Sequence, residues 1–193
     1  MGSLRKGSGS RRAVFADRDG TLNKLFRYLF RMEDFEWIPG VPQAIRLLND
    51  HDIQVIVVTN QAGVAHGIFT EEDVTRLHHH MQRSLDEQTG AVIDAFYYCP
   101  HHPEGIDPRY RRDSNDRKPN SGMFERAVQE RAINPSLSFV VGDRNNDLEA
   151  GRRLGITTLL VETGYGIEER AATMADHVVE DFGAAVDEIL RLV

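Results

Sequence analysis

Cysteine is nearly missing from this chain: one residue in 193, Cys99. No intramolecular disulfide can form, and a reducing cytoplasm is the expected compartment. No apolar run approaches the roughly 18 residues that a membrane span needs. Residues 1–10 lack the apolar stretch of a secretory signal and read as a disordered arm or a cloning remnant. Residues 11–193 are of a length for one domain, at roughly 100–200 residues each. Basic charge is also short. Lys and Arg number 23 against 30 Asp and Glu, a net charge of −7, which argues against a non-specific nucleic-acid binder. Repeats and low-complexity tracts are absent after residue 10.

What is present is a regular alternation. Short apolar runs at residues 13–16, 53–58, 91–98, 139–141, 157–161 and 177–179 are bounded by turn residues. They suit strands buried on both faces of a parallel sheet. Helical patterns fall between them, at 42–49, 70–88, 123–131, 147–154 and 182–192. Pro42 is placed to open the first of these, and Thr70-Glu71-Glu72-Asp73 opens the second like a capping box with Asp for Glu. Strands alternating with helices predict an α/β fold, a doubly wound parallel sheet with right-handed crossovers. Residues 99–120 are too long for an ordinary connection and are expected to form a functional loop. Between Arg109 and Lys118, five basic residues (Arg109, Arg111, Arg112, Arg117, Lys118) meet two acids, which fits either a solvated loop or a site for a small anionic ligand.

Ligands of open parallel sheets bind at the carboxyl ends of strands. Those ends carry Asp17 and Asp19, then Thr59 and Asn60, then Asp143 followed by Asp147. An Asp-x-Asp-Gly alone is weak, because Asp-Gly is common in turns. Three acid- or hydroxyl-bearing strand ends on one edge are a stronger signal. Clustered carboxylates repel one another unless a cation offsets them, and all-oxygen donors suit Mg²⁺. His78, His79 and His80 point about 100° apart on a helix and cannot converge on one metal; an exposed or half-buried face is expected for them.

Asp17-Arg18-Asp19-Gly20-Thr21, Thr59-Asn60, Lys118 and Gly142-Asp143-x-x-x-Asp147 resemble, in order, the motifs of the haloacid dehalogenase (HAD) superfamily of phosphatases. Val58-Thr59-Asn60-Gln61-Ala62-Gly63, Tyr97-Tyr98-Cys99-Pro100-His101-His102-Pro103 and Arg117-Lys118-Pro119 resemble its heptose-bisphosphate and histidinol-phosphate phosphatase branch. The resemblance implies a HAD-like Rossmannoid domain with a loop insertion at about 99–120, no large cap domain and a monomeric state. It implies Mg²⁺-dependent hydrolysis of a phosphate monoester through an aspartyl-phosphate, removing the 7-phosphate of a heptose 1,7-bisphosphate, with histidinol phosphate as the alternative substrate. Asp17 would then be the nucleophile and Asp19 the acid and base, with Thr59 and Lys118 on the phosphoryl oxygens. The metal would sit between Asp17, the Asp19 carbonyl and Asp143, with Asp147 orienting the metal shell or Lys118. Arg18, Arg27, Tyr28, Asn60, Gln61, Arg117 and Arg144 are the candidate substrate contacts. A receiver-type regulatory domain is a competing reading from another class. It would need an acid at the end of the third run, where Cys99 stands.

Two departures from that branch stand out. Its members often bind a structural zinc through Cys-x-His and a later Cys-x-Cys. Cys99 and His101 match the first half, but Ser114 and Asp116 occupy the second. Zinc prefers four thiolate or imidazole ligands, so the zinc is expected to be lost or weakly held, and the loop tied by bonds from Arg111, Arg112, Asp113 and Asp116. The segment 24–30 is also more apolar and basic than the branch's usual loop. Phe26 and Phe30 could form an apolar wall with Arg27 on a second phosphate; alternatively Leu25, Phe26, Leu29 and Phe30 are packing residues at helical spacing.

Overall fold

The computed structural model describes residues 11–193; the expectation for residues 1–10 lies outside them. Six parallel strands form one sheet in the order β3-β2-β1-β4-β5-β6: β1 Ala13–Ala16, β2 Gln54–Asn60, β3 Ala95–Cys99, β4 Phe139–Gly142, β5 Thr157–Val161 and β6 His177–Val179. The order reverses at β1, which pairs with β2 on one side and β4 on the other, so that Phe15 faces both Ile56 and Val140. Every residue of β1 is fully buried, which explains its uninterrupted apolar run.

Side chains alternate across the sheet. Val14, Ala16, Val55, Val57, Val141, Leu159 and Val161 face one layer. Ala13, Phe15, Ile56, Val58, Val140 and Leu160 face the other. The first layer is closed by α1 (Val41–Asp50), α2 (Glu71–Thr89) and α6 (Phe182–Leu192), the second by α3 (Gly122–Arg131) and α4 (Asn145–Arg152). Helix α6 buries Phe182, Ala185, Val186 and Ile189, an i, i+3, i+4, i+7 stripe. The expected capping box at α2 is formed: the Thr70 hydroxyl accepts from the Asp73 N–H, and the Asp73 carboxylate accepts from the Thr70 N–H at 2.8 Å. A four-residue helix, α5 (Gly166–Glu169), follows β5.

Four local expectations are corrected. The third strand starts at Ala95, not at residue 91. The N–H groups of Val92 and Ile93 bond to the side chains of Asn49 and Gln82, so this stretch lies outside the sheet ladder. Helix α4 begins two residues earlier than its apolar pattern suggests, because the Asp147 carboxylate accepts from the Arg144 N–H and caps the first turn. His78, expected on an exposed or half-buried face, is buried, and its ring stacks on Phe96 with centroids 4.5 Å apart. Residues 24–30 form no helix. Leu29 is buried, Phe30 stacks on Phe69, and Leu25, Phe26 and Tyr28 are exposed. No described helix is long and apolar enough to cross a membrane.

Candidate active site

The carboxyl ends of β1, β2 and β4 open into a cleft of about 250 Å³. Asp17 leaves β1, and its N–H bonds to the Val141 carbonyl of β4 at 3.0 Å, which ties the first acid to the strand that delivers the second. Asp143 follows β4, and Asp147 occupies the first turn of α4. All three are buried, and one oxygen from each lies within 4.8 Å of the others. Lys118 arrives from the 100–121 connection and is buried at the centre. Its ammonium donates to Asp17 Oδ1 at 2.6 Å, Asp147 Oδ1 at 2.6 Å and the Val58 carbonyl at 2.7 Å. All three ammonium protons are therefore placed.

Three buried carboxylates face one buried cation, and the imbalance shows in their proton affinities. Burial pushes Asp17 up to about 7; Lys118 opposes this, and Asp147 and Asp19 add to it. Burial, then the charges of Asp17 and Asp147, push Asp143 up to about 8. Burial alone would lower the Lys118 pKa, but Asp147 and Asp17 outweigh it and hold the ammonium charged. A second cation would relieve this excess, and all-oxygen donors fit a hard divalent ion.

The oxygens are not equally free to accept one. Both oxygens of Asp147 are engaged, one by Lys118 and one by the Arg144 N–H. Asp143 Oδ2 accepts from the Tyr165 N–H at 2.9 Å, while Asp17 gives one oxygen to Lys118. Space around Asp143 is made by two glycines with positive φ, Gly20 and Gly164, where an added Cβ would lie 2.3 Å and 2.1 Å from Asp143 Oδ2. At either position a side chain would be strained in backbone and would also strike the carboxylate.

Thr59, at the end of β2, is buried, and its hydroxyl accepts from Gln61 Nε2 at 2.9 Å. Gln61 Nε2 also donates to Asp19 Oδ2 at 3.0 Å. Asn60 brackets the Lys118 backbone, its amide donating to the Lys118 carbonyl and its carbonyl accepting from the Lys118 N–H, both at 3.1 Å. It thereby sets the position of Lys118. Arg27 and Tyr28 line one side of the cleft, and Arg117 and Arg144 other parts of it. The Arg144 guanidinium lies 3.7 Å from the centroid of Tyr165. Arg117 is half-buried and donates to the His101 carbonyl at 3.4 Å.

Arg18 departs from the expected substrate contact. It is fully buried and does not line the cleft; its guanidinium points behind the wall and grips Asp19. Two residues with no assigned role from sequence complete the surroundings. Asn23 donates to Asp19 Oδ1 at 3.1 Å, and Tyr165 contacts both Asp143 and Arg144. The signal for Tyr165 lay in its place, in a Gly-Tyr-Gly turn after β5 on the functional edge of the sheet.

Of the would-be zinc ligands, Asp116 and one ring nitrogen of His101 are engaged elsewhere, while His101 Nδ1 is buried without a partner. Asp116 pairs with Arg126 at 2.9 Å. His101 Nε2 meets Arg112 at 2.8 Å. The Cys99 thiol is buried, and burial raises its pKa. Among the described residues the metal-type cluster is that of Asp17, Asp143 and Asp147. Arg111 and Asp113, expected to help tie the loop, are exposed.

Comparison with known proteins agrees with this geometry. A model of HAD-hydrolase-like proteins matches residues 115–185. The D-glycero-beta-D-manno-heptose-1,7-bisphosphate 7-phosphatase of Haemophilus ducreyi is 42% identical over 170 residues, covering 88% of this chain and 93% of that protein. The D-glycero-D-manno-heptose-1,7-bisphosphate 7-phosphatase of Thermosynechococcus vestitus is 40% identical over 187 residues, 93% of this chain and 95% of the other. The crystal structure of D,D-heptose 1,7-bisphosphate phosphatase from B. bronchiseptica, complexed with magnesium and phosphate, superposes with a TM-score of 0.84 at 31% identity, covering 94% of this chain and 99% of that one. Likeness of this degree over nearly the whole length, with a six-stranded sheet that carries its buried acids on one edge, places the chain in the HAD-like hydrolases as a phosphatase of the heptose-bisphosphate phosphatase family.

Proposed function

We propose that this chain removes the 7-phosphate of D-glycero-D-manno-heptose 1,7-bisphosphate with the help of Mg²⁺. The observation that carries the reading is the packing of Asp17, Asp143, Asp147 and Lys118 at the floor of a cleft rimmed by Arg27, Arg117 and Arg144. The substrate class comes from the relatives named above.

In this mechanism a carboxylate oxygen of Asp17 attacks phosphorus, the bond to the sugar oxygen breaks, and Asp19 gives that oxygen a proton. Water then attacks the aspartyl-phosphate, Asp19 takes its proton, and inorganic phosphate leaves with Asp17 restored. Lys118 neutralises Asp17 so that two anions can approach, and with Thr59 it faces the phosphoryl oxygens where charge is spread in the transition state. Gln61 links Thr59 to Asp19 and keeps the two in register. The carboxylates of Asp17 and Asp143 and the carbonyl of Asp19 would hold Mg²⁺. Its positive charge would offset the excess of carboxylates and stabilise the phosphoryl oxygens. Asp147, with both oxygens occupied, aims Lys118. Arginine forks suit a second phosphate, so Arg27, Arg117 and Arg144 are assigned to the sugar end of the substrate, with Tyr28 against the ring.

The zinc loop is read as metal-free, closed instead by the Asp116–Arg126 and His101–Arg112 pairs. The protein is taken to be a cytoplasmic monomer without nucleic-acid or membrane partners. A substrate panel tests the assignment. The expected kcat/KM for the heptose bisphosphate exceeds that for histidinol phosphate by at least about 100-fold, the scale on which a lost charged contact acts. Faster turnover of histidinol phosphate overturns it.

A further inference from the structure

Arg18 is a large side chain with no access to solvent, one position after the proposed nucleophile. A buried guanidinium is costly unless its donors are placed. Here they are placed on the proposed acid. Arg18 Nε reaches Asp19 Oδ1 at 3.2 Å, and one terminal nitrogen reaches Oδ1 at 3.0 Å and Oδ2 at 2.8 Å. That same nitrogen donates to the Leu29 carbonyl at 3.2 Å. The other terminal nitrogen faces His78 Nε2 at 3.4 Å. His78 lies on α2, stacks on Phe96 of β3 and stands edge-on to Tyr98. Beside a permanently charged arginine, an unprotonated imidazole nitrogen is the partner that accepts, and the stacked ring cannot turn away from it.

A chain of contacts thus runs from the sheet through His78 and Arg18 to the Asp19 carboxylate. The other partners of that carboxylate are Gln61, which lines the cleft, and the buried Asn23. We propose that Arg18 and His78 are positioning residues for Asp19: the arginine fork fixes the plane of the carboxylate, and His78 fixes the fork. A lysine could supply the charge but not the planar two-point grip. The proposal rests on Asp19 acting as the acid of the reaction, as set out above.

The leaving group separates positioning from general damage. Loss of an alkoxide needs a proton, whereas p-nitrophenolate departs without one. Since kcat/KM reports the steps up to the first irreversible one, it isolates phosphoryl transfer to the enzyme from the later attack of water. Four variants are assayed with heptose 1,7-bisphosphate and with p-nitrophenyl phosphate, both with Mg²⁺. Arg18→Lys is expected to lower kcat/KM at least about 30-fold on the sugar phosphate, part of the 10²–10⁴ that general acid catalysis supplies, and under about 3-fold on the aryl phosphate. His78→Leu is expected to show the same asymmetry at about 5-fold. His78→Gln, which keeps an acceptor near the position of Nε2, is expected to restore the parent ratio. Equal losses on the two substrates, or none, overturn the proposal. If Arg18→Lys does not fold, the two His78 variants decide alone. Asp19→Asn is the control on the underlying reading. If it loses no more on the sugar phosphate than on the aryl phosphate, Asp19 is not the acid; if it shows the asymmetry while the Arg18 and His78 variants do not, only the positioning claim falls.

Discussion

Replacing Asp17 by Asn should abolish turnover and, without metal, make the protein more stable. Asp17 shares a buried site with Asp143 and Asp147, and only one lysine opposes their charge. Its pKa is carried from 3.8 to about 7, first by burial. At about 1.4 kcal/mol for each tenfold change in proton affinity, keeping this group ionised in the folded protein costs up to about 4 kcal/mol. The side chain is 10% exposed, so solvent screens little of this. Part of the gain is lost in the variant because Lys118 then holds a neutral amide in place of a charged partner. A net gain of about 2 kcal/mol remains, and at roughly 2–4 °C per kcal/mol for a chain of this size the variant should melt about 4–8 °C higher at pH 8.5.

The sign follows from linkage. An acid whose folded pKa is raised contributes stability below its unfolded value, near 4, and loses it as pH climbs through its folded value. For Asp17 and Asp143 that loss runs from about pH 4 to pH 7–8. At pH 5 the wild type keeps its protons, and the two proteins should melt within about 1–2 °C of each other. Calorimetric melts of chelator-treated protein at pH 5 and 8.5, beside a phosphate-release assay with Mg²⁺, make the test. A variant that melts lower than wild type at pH 8.5, or differs by the same amount at both values, refutes the electrostatic account. Phosphate release by the variant above about a thousandth of the wild-type rate refutes the nucleophile.

The same buried charges and packing have other consequences. Stabilisation of the wild type by 10 mM Mg²⁺ should grow as pH rises from 5 to 8.5, because the ion competes with the protons on Asp17 and Asp143; a pH-independent shift in melting temperature would contradict the assigned ligands. Lys118→Met should lower kcat at least about 10³-fold and, by leaving Asp17 and Asp147 unpaired, cost about 3 kcal/mol in metal-free protein at pH 8.5, read from urea midpoints. Phe182→Ala, at a fully buried position of α6, should cost about 3–5 kcal/mol with kcat unchanged in the folded fraction. Asp116→Ala, which breaks the pair with Arg126, should cost about 1 kcal/mol or less; metal analysis of the purified wild type should find less than a tenth of a zinc per chain, and one tightly held zinc would overturn the metal-free reading of the loop.

How much of this was legible beforehand divides along physical lines. Strands buried on both faces wrote themselves as apolar runs, and α6 was legible residue for residue, because burial selects side chains one at a time. The acids could be placed on one sheet edge from chain order alone, since the carboxyl ends of parallel strands converge. The apolar pattern places the start of β3 four residues too early because Ala91 and Ile93 are buried like strand residues, though their neighbourhood is bonded by side chains. Burial is legible in composition; ladder pairing is not.

The same limit explains Arg18. In sequence it is a cation between two acids, and the economical reading turns it toward an anionic substrate. Its direction depends on which face of the turn after β1 it takes. That face is fixed by a histidine 60 positions away, on a helix whose surface looked polar. Composition favours neither direction, because a guanidinium can be held by a phosphate or by a carboxylate with the same fork. The structure decides by enclosure. Arg18 has Leu29, His78 and Asp19 around its nitrogens and no exposure, so a substrate phosphate could reach it only by displacing Asp19, the proposed acid. An arginine buried in this way can serve the reaction only through the residue it holds. This is why comparing leaving groups, and not substrate affinity, is the measurement that discriminates.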